Sequence, residues 1–212
     1  MKLAAIILAA GRSRRFEPGD KLLAPVDGRA MLTRTVERVA AARVADLLVV
    51  LPVGDVARRS ALRDAACAPP VIVRAPRRQE DMLSFGEGQG ASIAAGIGAL
   101  PGACDGILIV PADMPALTTS FIDGLIAAFV ADDGCRIVFP VRGDVQYPPA
   151  IFPADLAPEL ATLDGDAGGK RVIASHPDRV APFVVSADDR ALLDDIDTVA
   201  DLMRFEASRR QR

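Results

Sequence analysis

Residues 3–25 read LAAIILAAGRSRRFEPGDKLLAP, and this segment decides which fold and chemistry we expect of the chain. It begins with an apolar run, Leu3–Leu8, that is typical of a buried strand, and the run ends in Ala9-Ala10-Gly11. Three arginines follow at positions 12, 14 and 15, and then a lysine at position 21. Small residues let a backbone approach phosphate groups closely, while free N–H groups and cations bind them. The segment therefore predicts a triphosphate-binding loop after the first strand.

This loop differs from two common phosphate-binding motifs. The chain has no Gly-x-x-x-x-Gly-Lys-Ser/Thr sequence, and the segment lacks the Gly-x-Gly-x-x-Gly of dinucleotide-binding proteins. Glycines 86, 88 and 90 form Gly-x-Gly-x-Gly, but polar residues precede them rather than a strand, which disfavours a nicotinamide site. A secretory signal peptide is an alternative interpretation of Lys2 and the apolar run, although the arginines stand where a cleaved chain would begin.

The composition favours one soluble domain that binds a small anion. A chain of 212 residues is expected to bury about 70% of its unfolded surface. No apolar run approaches the roughly 20 residues of a membrane helix, so we expect no membrane partner. A net charge of −3 argues against general nucleic-acid binding. Three widely spaced cysteines and a single histidine disfavour a disulfide framework and a metal cage, and we expect a cytoplasmic protein.

Strand-like and helix-like segments alternate along the chain, which is the pattern of a parallel sheet with crossover helices. We predict strands at 46–51, 71–74, 106–110 and 137–141. We predict helices over about 32–40 and 55–66, from near Ser92, and from Thr118 or Thr119 as the capping residue. Later segments (148–152, 154–163, 166–174, 180–185 and 198–205) mix short strands and helices. The expected fold is a Rossmann-like three-layer α/β/α domain with a mostly parallel central sheet.

Asp113 stands in the turn Pro111-Ala112-Asp113-Met114-Pro115, directly after the predicted central strand. Open α/β sheets bind ligands at the carboxyl ends of their strands, and one carboxylate plus phosphate oxygens is a usual way to hold Mg²⁺. The alternative is that Asp113 caps the helix that starts near Leu117. Thr118 and Thr119 are better placed to do so.

Two further segments carry polar groups that could serve a ligand. In residues 86–92, GEGQGAS, backbone amides and the Ser92 hydroxyl could meet a base or a phosphate, or Ser92 could be an ordinary N-cap. In residues 193–198, LDDIDT, Asp195 and Asp197 alternate along an extended backbone and project to one face. They could help to bind Mg²⁺, but from spacing alone capping of the last helix by Asp197 or Thr198 is favoured. His176 is interpreted as a surface residue.

These motifs, in this order, resemble those of the MobA-like NTP transferase family, the nucleotidyltransferases of molybdenum-cofactor maturation. The resemblance covers nearly the whole chain. It rests on the opening loop with its spaced lysine, on GQGASIAAGI, on PADMP, on FPADLAPELATLDGDAGGKRVI and on the closing DIDT. It implies a nucleotide-diphospho-sugar transferase type of fold, with one domain over residues 1–212. Residues 1–115 would form the NTP-binding half and residues 116–212 the acceptor-binding half.

The resemblance also implies roles for individual residues. The catalytic residues would be Arg15, Lys21 and Asp113. Asp113 and Asp197 would hold Mg²⁺, and the far wall of the site would include Asp195. The nucleotide would be bound by Leu8, Ala9, Ala10, Gly11, Arg12, Ser13, Lys21, Gly90, Ala91 and Ser92. The candidates on the acceptor side would be Asp195, Phe152 and Asp166.

Nucleotide choice is inferred from the opening motif of the family. Its guanylyl enzymes tend to open with Leu-Ala-Gly-Gly and its cytidylyl enzymes with Leu-Ala-Ala-Gly, so Ala10 favours CTP. The acceptor is harder to infer, because Gln146-Tyr147-Pro148-Pro149 replaces the usual Gly-His-Pro-like element. Gly168-Gly169-Lys170-Arg171 and Val199 are further departures from the family pattern.

The implied reaction is attack by an acceptor phosphate on the α-phosphorus of an NTP, with release of pyrophosphate. The expected partners are CTP and a molybdopterin-type acceptor, together with a molybdenum enzyme or its chaperone. Guanylyl transfer to the same acceptor and nucleotidyl transfer to a sugar or polyol phosphate are alternatives. A non-catalytic protein that binds the nucleotide or cofactor and delivers the cofactor is an alternative of another class.

Overall fold

The computed structural model of the chain describes residues 1–11, 13, 15–17, 19–75, 88–187 and 189–210. Within these residues the strands are β1 (Leu3–Leu8), β2 (Pro25–Val26), β3 (Arg29–Ala30), β4 (Asp46–Leu51), β5 (Val71–Arg74), β6 (Gly106–Pro111), β7 (Ile137–Arg142), β8 (Val145–Gln146), β9 (Ala150–Pro153) and β10 (Val180–Val184). The α-helices are α1 (Met31–Ala40), α2 (Val56–Arg63), α3 (Gln89–Gly98), α4 (Thr119–Ala131), α5 (Ala157–Leu160), α6 (Gly169–Ser175) and α7 (Val199–Arg210). None of the helices in this described part is long and apolar enough to cross a membrane.

The central sheet has the strand order β10-β7-β9-β6-β1-β4-β5, with β8 paired to β7. Parallel pairing joins β1 to β4 and β6, β4 to β5, and β7 to β10. Only β9, between β6 and β7, and the short β8 run antiparallel among the described strands of this sheet. The prediction of a mostly parallel sheet is therefore confirmed, and strands from both predicted halves of the chain share it.

Apolar side chains cover both faces of the sheet. Successive residues of β1 alternate between the two cores: Ile7 belongs to one buried cluster and Ile6 to the other. The first cluster receives side chains of α1 and α4, and the second receives side chains of α3, α5 and α6. A strand that is buried on both faces reads as a continuous apolar run, which is why the first strand could be recognised. The three-layer α/β/α arrangement is thus confirmed.

Two predicted helix starts were tested directly. Thr118 caps α4, since its Oγ1 accepts a hydrogen bond from the backbone N–H of Phe121 (3.2 Å). This excludes the alternative role of Asp113 as the cap. The predicted start of α3 near Ser92 is wrong by three residues, because the helix begins at Gln89 and Gly88 is its N-cap. Ser92 lies inside the helix, where its hydroxyl donates to the Gly88 carbonyl (3.1 Å).

Candidate active site

The opening loop leaves the carboxyl end of β1 and returns in a 3₁₀ turn, Lys21–Leu23. Asp20 caps that turn, since its Oδ1 accepts a hydrogen bond from the N–H of Leu22 (3.1 Å). The loop therefore ends in a fixed turn that carries Lys21. Arg12, which we predicted to bind the nucleotide, lies outside the described residues.

Lys21 joins two carboxylates that are far apart in the sequence. Its Nζ lies 2.6 Å from Asp113 Oδ2 and 2.8 Å from Asp197 Oδ1, and its side chain is only 12% exposed. Arg15 Nη2 lies 2.7 Å from the other oxygen of Asp197, Oδ2. The two predicted cations and two of the predicted acids thus converge at one point beside the carboxyl ends of β1 and β6.

The turn that carries Asp113 is fixed by contacts to β1 and α1. The backbone N–H of Ala112 donates to the Leu8 carbonyl (3.1 Å), which continues the pairing of β6 with β1. The Thr35 hydroxyl of α1 donates to the Ala112 carbonyl (3.0 Å), and Arg34 Nε donates to the Pro115 carbonyl (2.9 Å). Because both sides of the turn are held, the Asp113 carboxylate has a defined position.

The closing DIDT segment caps the last helix and also places a carboxylate beside Lys21 and Arg15. Thr198 precedes α7, and its Oγ1 accepts from the N–H of Asp201 (3.2 Å). The Asp201 carboxylate accepts in return from the N–H of Thr198 (2.7 Å), which is the reciprocal arrangement of a capping box. Since Thr198 makes this cap, Asp197 directs its carboxylate to Lys21 and Arg15 instead. The Ile196 N–H donates to the Asp113 carbonyl (3.0 Å) and ties this segment to the Asp113 turn.

Asp195 completes a cluster of three acids. Asp113, Asp195 and Asp197 each offer one carboxylate oxygen, and these oxygens lie within 4.8 Å of one another. The Asp195 residue is exposed, but desolvation by the groups packed around its carboxyl and the negative charges of Asp113 and Asp197 raise its pKa above the ordinary value of 3.8. Burial lowers the pKa of Lys21, but the charges and hydrogen bonds of Asp113 and Asp197 outweigh burial and raise it overall.

The donor set of this cluster fits a hard divalent cation. Carboxylate oxygens are the protein ligands that Mg²⁺ prefers, and Mg²⁺ usually takes only one or two of them together with phosphate oxygens. Three carboxylates here face the two cations Lys21 and Arg15, so one negative charge remains uncompensated within the group. Asp195, which the family resemblance placed on the acceptor side and which its spacing to Asp197 allowed as a Mg²⁺ ligand, belongs to this cluster and is a third candidate ligand.

We expect Asp195→Asn to raise the midpoint of thermal unfolding of the metal-free protein at neutral pH. A raised carboxyl pKa means that the folded state binds a proton more readily than the unfolded state, so stability falls as the pH rises through that pKa. The neutral amide removes this penalty. The gain should shrink as the pH is lowered towards 3.8, the ordinary value for an aspartate.

Thermal unfolding in EDTA, scanned over pH, measures this effect, and Asp194→Asn is the control because Asp194 is the adjacent exposed aspartate and is not a member of the acid cluster. Added Mg²⁺ or Mn²⁺ should stabilise the unaltered chain more than the Asp195→Asn variant. A lower midpoint for Asp195→Asn in EDTA at neutral pH would contradict the repulsive cluster.

Gly90, Ala91 and Ser92 form the buried first turns of α3. The Gly90 N–H donates to the Gly165 carbonyl (2.8 Å), and a Cβ on Gly90 would lie 2.6 Å from the Ala167 carbonyl oxygen. Glycine is therefore required here so that α3 can pack against residues 164–167. Asp166 is exposed in that same stretch. Contact between this region and a nucleotide base stays a prediction.

Two of the predicted contacts need correction. Phe152 is only 1% exposed and belongs to the core beneath α6, where a Cβ on Gly169 would approach its ring to 2.9 Å. Its side chain therefore packs beneath α6 and is too deeply buried to meet a ligand. Both backbone groups of Ala9 already have partners, since its N–H donates to Val50 (3.0 Å) and its carbonyl accepts from Arg58 (2.6 Å). Contact of the nucleotide with the backbone of Ala10 and Gly11 stays a prediction.

Sequence reasoning missed Arg58, which lies in α2 and is only 3% exposed. Its guanidinium contacts the opening loop at both ends, as described below. One signal could have identified it. Arg58 stands four residues before Leu62, and helical spacing places two such residues on the same face. An arginine on the buried face of a helix needs polar partners, and the opening loop supplies them.

His176 agrees with its interpretation as a surface residue. Its Nε2 lies 2.6 Å from Glu159 Oε2, and both side chains are partly exposed. This pair connects α6 with α5 and has no contact with the Lys21–Asp113–Asp197 group among the described residues.

Comparisons with known proteins agree with this geometry. A 2-C-methyl-D-erythritol 4-phosphate cytidylyltransferase from Streptomyces avermitilis is 33% identical over 166 residues, which cover 76% of this chain but only 64% of that relative. A probable molybdenum cofactor guanylyltransferase from Mycobacterium marinum is 27% identical over 206 residues, covering 95% of this chain and 92% of the relative. The crystal structure of Rv0371c from Mycobacterium tuberculosis H37Rv in complex with manganese has the same fold, with a TM-score of 0.72 and 22% identity over 98% of this chain and all of that one.

The family match covers most of the elements that build the site, while Asp195 and Asp197 lie beyond its end. The model of the MobA-like NTP transferase domain matches residues 5–180, which include the opening loop, α3 and the Asp113 turn. This match spans well over half of the chain and agrees with the sequence motifs and with the fold. The chain belongs to the MobA-like NTP transferase family of nucleotidyltransferases.

Proposed function

We propose that this chain transfers a nucleoside monophosphate, from CTP in preference to GTP, to the phosphate of a molybdopterin-type acceptor and releases pyrophosphate. The observation that carries the proposal is the convergence of Lys21 and Arg15 on the acids Asp113 and Asp197. This group lies at the carboxyl ends of parallel strands, where open α/β sheets bind their ligands. Free cysteines at 67, 104 and 135 fit a reducing compartment such as the cytoplasm.

The reaction needs positioning and charge neutralisation more than proton transfer. An oxygen of the acceptor phosphate forms a bond to the α-phosphorus of the NTP, and the bond from that phosphorus to the bridging β-phosphate oxygen breaks. The electron pair of that bond leaves with pyrophosphate. Because a phosphate monoester is already ionised at neutral pH, no general base has to remove a proton from the nucleophile. Catalysis then depends on held geometry and on opposed charge.

Lys21 can contact a phosphate while it keeps both of its carboxylate partners. A lysine ammonium has three N–H donors, and Asp113 and Asp197 use two of them. The third donor is available for a phosphate oxygen. Arg15 is 73% exposed and uses Nη2 on Asp197, so the rest of its guanidinium can bind the leaving pyrophosphate.

Asp113, Asp195 and Asp197 are the residues that would hold a divalent ion. When bound, Mg²⁺ supplies positive charge beside the phosphate oxygens and orients them for in-line displacement. The manganese in the related mycobacterial structure supports a divalent ion in this fold. The choice of Mg²⁺ rests on its usual partnership with phosphate groups.

We expect Ala10→Gly to shift the ratio of CTP to GTP use towards GTP. Ala10 follows the strand β1 in the loop that would face the nucleotide, and its methyl group would crowd a purine more than a pyrimidine. The ratio of kcat/KM for CTP to kcat/KM for GTP measures the effect, and a general loss of activity cancels from that ratio. An unchanged ratio would remove Ala10 as a selectivity residue.

A sugar or polyol phosphate is the second candidate acceptor. It is favoured by the 33% identity to the Streptomyces avermitilis 2-C-methyl-D-erythritol 4-phosphate cytidylyltransferase. The expected acceptor region of this chain also departs from the family pattern, because Tyr147 lies where a Gly-His-Pro-like element is usual. The Arg142 guanidinium lies 5.2 Å from the centroid of the Tyr147 ring. The relative from Mycobacterium marinum favours the molybdenum cofactor acceptor over a longer alignment.

A panel of four NTPs against molybdopterin-type and sugar-phosphate acceptors tests the proposal, with pyrophosphate release as the measurement. We expect the highest kcat/KM for CTP with the molybdopterin-type acceptor. Higher values with a sugar phosphate would establish the second candidate. If no combination releases pyrophosphate while NTPs still bind, a non-catalytic delivery protein is the better description.

A further inference from the structure

We propose that Arg58 is a positioning residue for the opening loop, residues 9–20. Its buried guanidinium holds both ends of this loop, so that the phosphate-binding groups are in place before the NTP binds. Its effect on catalysis rests on the proposed function, but its effect on the loop does not. Arg58 itself contacts no reacting atom. It acts through Ala9, Gly11 and Asp20.

The contacts of Arg58 join the start of the loop to its end. At the start, Nη1 donates to the Ala9 carbonyl (2.6 Å) and Nη2 donates to the Gly11 carbonyl (2.8 Å). At the end, Nε and Nη2 donate to the two oxygens of Asp20 (2.7 and 2.9 Å). A guanidinium has a planar fork of N–H donors, and this fork matches a carboxylate at two points. One side chain thus spans residues 9 to 20.

Arg58 is itself held in place from below. Asp55 caps α2 by accepting a hydrogen bond from the Arg58 N–H (2.9 Å), and Asp55 Oδ2 lies 3.3 Å from Arg58 Nε. The Arg58 side chain is only 4% exposed, so water cannot replace its partners without local opening. A side chain held at its base and buried at its tip can fix other groups precisely enough to preorganise a site.

Asp20 connects Arg58 to the turn that carries Lys21. Besides Arg58, Asp20 Oδ1 accepts hydrogen bonds from the Ser13 hydroxyl (2.9 Å) and from the Leu22 N–H (3.1 Å). Ser13 adopts a left-handed backbone conformation, with φ of 50°, that persists only where its surroundings determine it. Asp20 therefore fixes the middle of the loop and the turn that directs Lys21 to Asp113.

The contact with Ala9 has a direct consequence for the neighbouring amide. A peptide unit is planar and trans, so its C=O and N–H point in opposite directions. When the Ala9 carbonyl points to Arg58, the Ala10 N–H of the same peptide unit points away from Arg58. We infer that this amide faces the side of the loop that receives the nucleotide. Errors of about 1 Å in such contacts can cost about a hundredfold in rate.

The test compares Arg58→Lys and Arg58→Met with Arg59→Lys and Arg59→Met. Arg59 is the matched control because it is the next residue of the same helix and is exposed. Lysine keeps the charge at position 58 but lacks the fork that reaches three acceptor groups. Asp20→Asn removes the partner side of the same contact and serves as a second, independent variant.

Amide hydrogen exchange of the ligand-free protein is the first measurement. We expect peptides covering residues 9–22 to exchange at least about tenfold faster in Arg58→Lys and Asp20→Asn, with unchanged exchange in β4 and β6. The Arg59 variants should match the unaltered chain. Unchanged exchange at 9–22 in both variants overturns the proposal. Faster exchange throughout the chain also overturns it, because Arg58 would then support the whole fold and not the loop.

Kinetics is the second measurement. We expect KM for the NTP to rise at least about tenfold in Arg58→Lys, while KM for the acceptor changes less than about twofold. Equal rises in both KM values would overturn the assignment of Arg58 to the opening loop. If the unaltered chain transfers no nucleotide, the proposed function fails, but the exchange result still decides whether Arg58 positions the loop.

Discussion

Asp113→Ala is expected to abolish nucleotidyl transfer while the protein stays folded, with a fall in kcat of at least about a thousandfold. Asp113 is the acid that Lys21 approaches most closely, and it is one of three carboxylates that would hold the divalent ion. Its loss would remove a metal ligand and also release Lys21 from its position. Lys21 keeps Asp197 as a partner at 2.8 Å, so its buried ammonium does not become unpaired. The cost in folding free energy should therefore stay at about 1.5–3 kcal/mol, the range for a hydrogen bond to a charged group.

The matched control is Asp105→Ala. Asp105 immediately precedes β6, at the opposite end of the strand from Asp113, and it is exposed. Pyrophosphate release gives kcat, and thermal unfolding shows that both variants are folded. Asp113→Asn separates charge from shape, because the amide keeps the volume but is a poor metal ligand. If Asp113→Ala retained more than about a tenth of the activity, the assignment of Asp113 to the metal and to Lys21 would be lost.

The central strands of the sheet were predictable because they are buried on both faces. A continuous apolar run such as Leu3–Leu8 or Gly106–Pro111 needs no periodicity to be recognised when it is short and bounded by polar or turn residues. The start of α3 was not predictable in the same way. Its first turn consists of Gln89, Gly90 and Ala91, and glycine is a poor helix former. Glycine is required at position 90 because of tertiary packing, since any larger side chain would clash with the backbone at residues 164–167.

The part of the candidate site that could be predicted consists of the charged residues that belong to recognisable sequence motifs. Lys21 and Asp113 follow the two neighbouring strands β1 and β6, and the carboxyl ends of parallel strands meet at one edge of the sheet. Spacing showed that Asp195 and Asp197 share a face, but it could not show that they join Asp113, since that depends on how residues 193–198 return to the Asp113 turn. The burial of Phe152 was hidden for the same reason. The sequence predicts the strand that contains an aromatic residue, but it does not predict which helix packs over that residue.

Lys21→Met is expected to lower kcat/KM for the NTP by about a hundredfold to a thousandfold, the scale of losing one preorganised charged donor. Methionine keeps most of the apolar stem but removes the charge from a position that is only 12% exposed. The loss should fall on the NTP, since the ammonium would neutralise its phosphates, and KM for the acceptor should change little. Lys2→Met is the control, because Lys2 lies at the other end of β1, where its ammonium pairs with Asp46.

Lys21→Met should also make the folded state depend on divalent ions. Without the ammonium, Arg15 is the one cation among the described residues that still pairs with the cluster of Asp113, Asp195 and Asp197, and like charges this close repel each other in a partly buried site. We therefore expect a lower midpoint of thermal unfolding in EDTA than for the unaltered chain. Mg²⁺ or Mn²⁺ should restore more of the midpoint in Lys21→Met than in Lys2→Met, because the ion takes over the charge that the lysine supplied. Equal responses of the two variants to the ion would mean that Lys21 does not share its carboxylates with a metal, and that its ammonium acts on the phosphates alone.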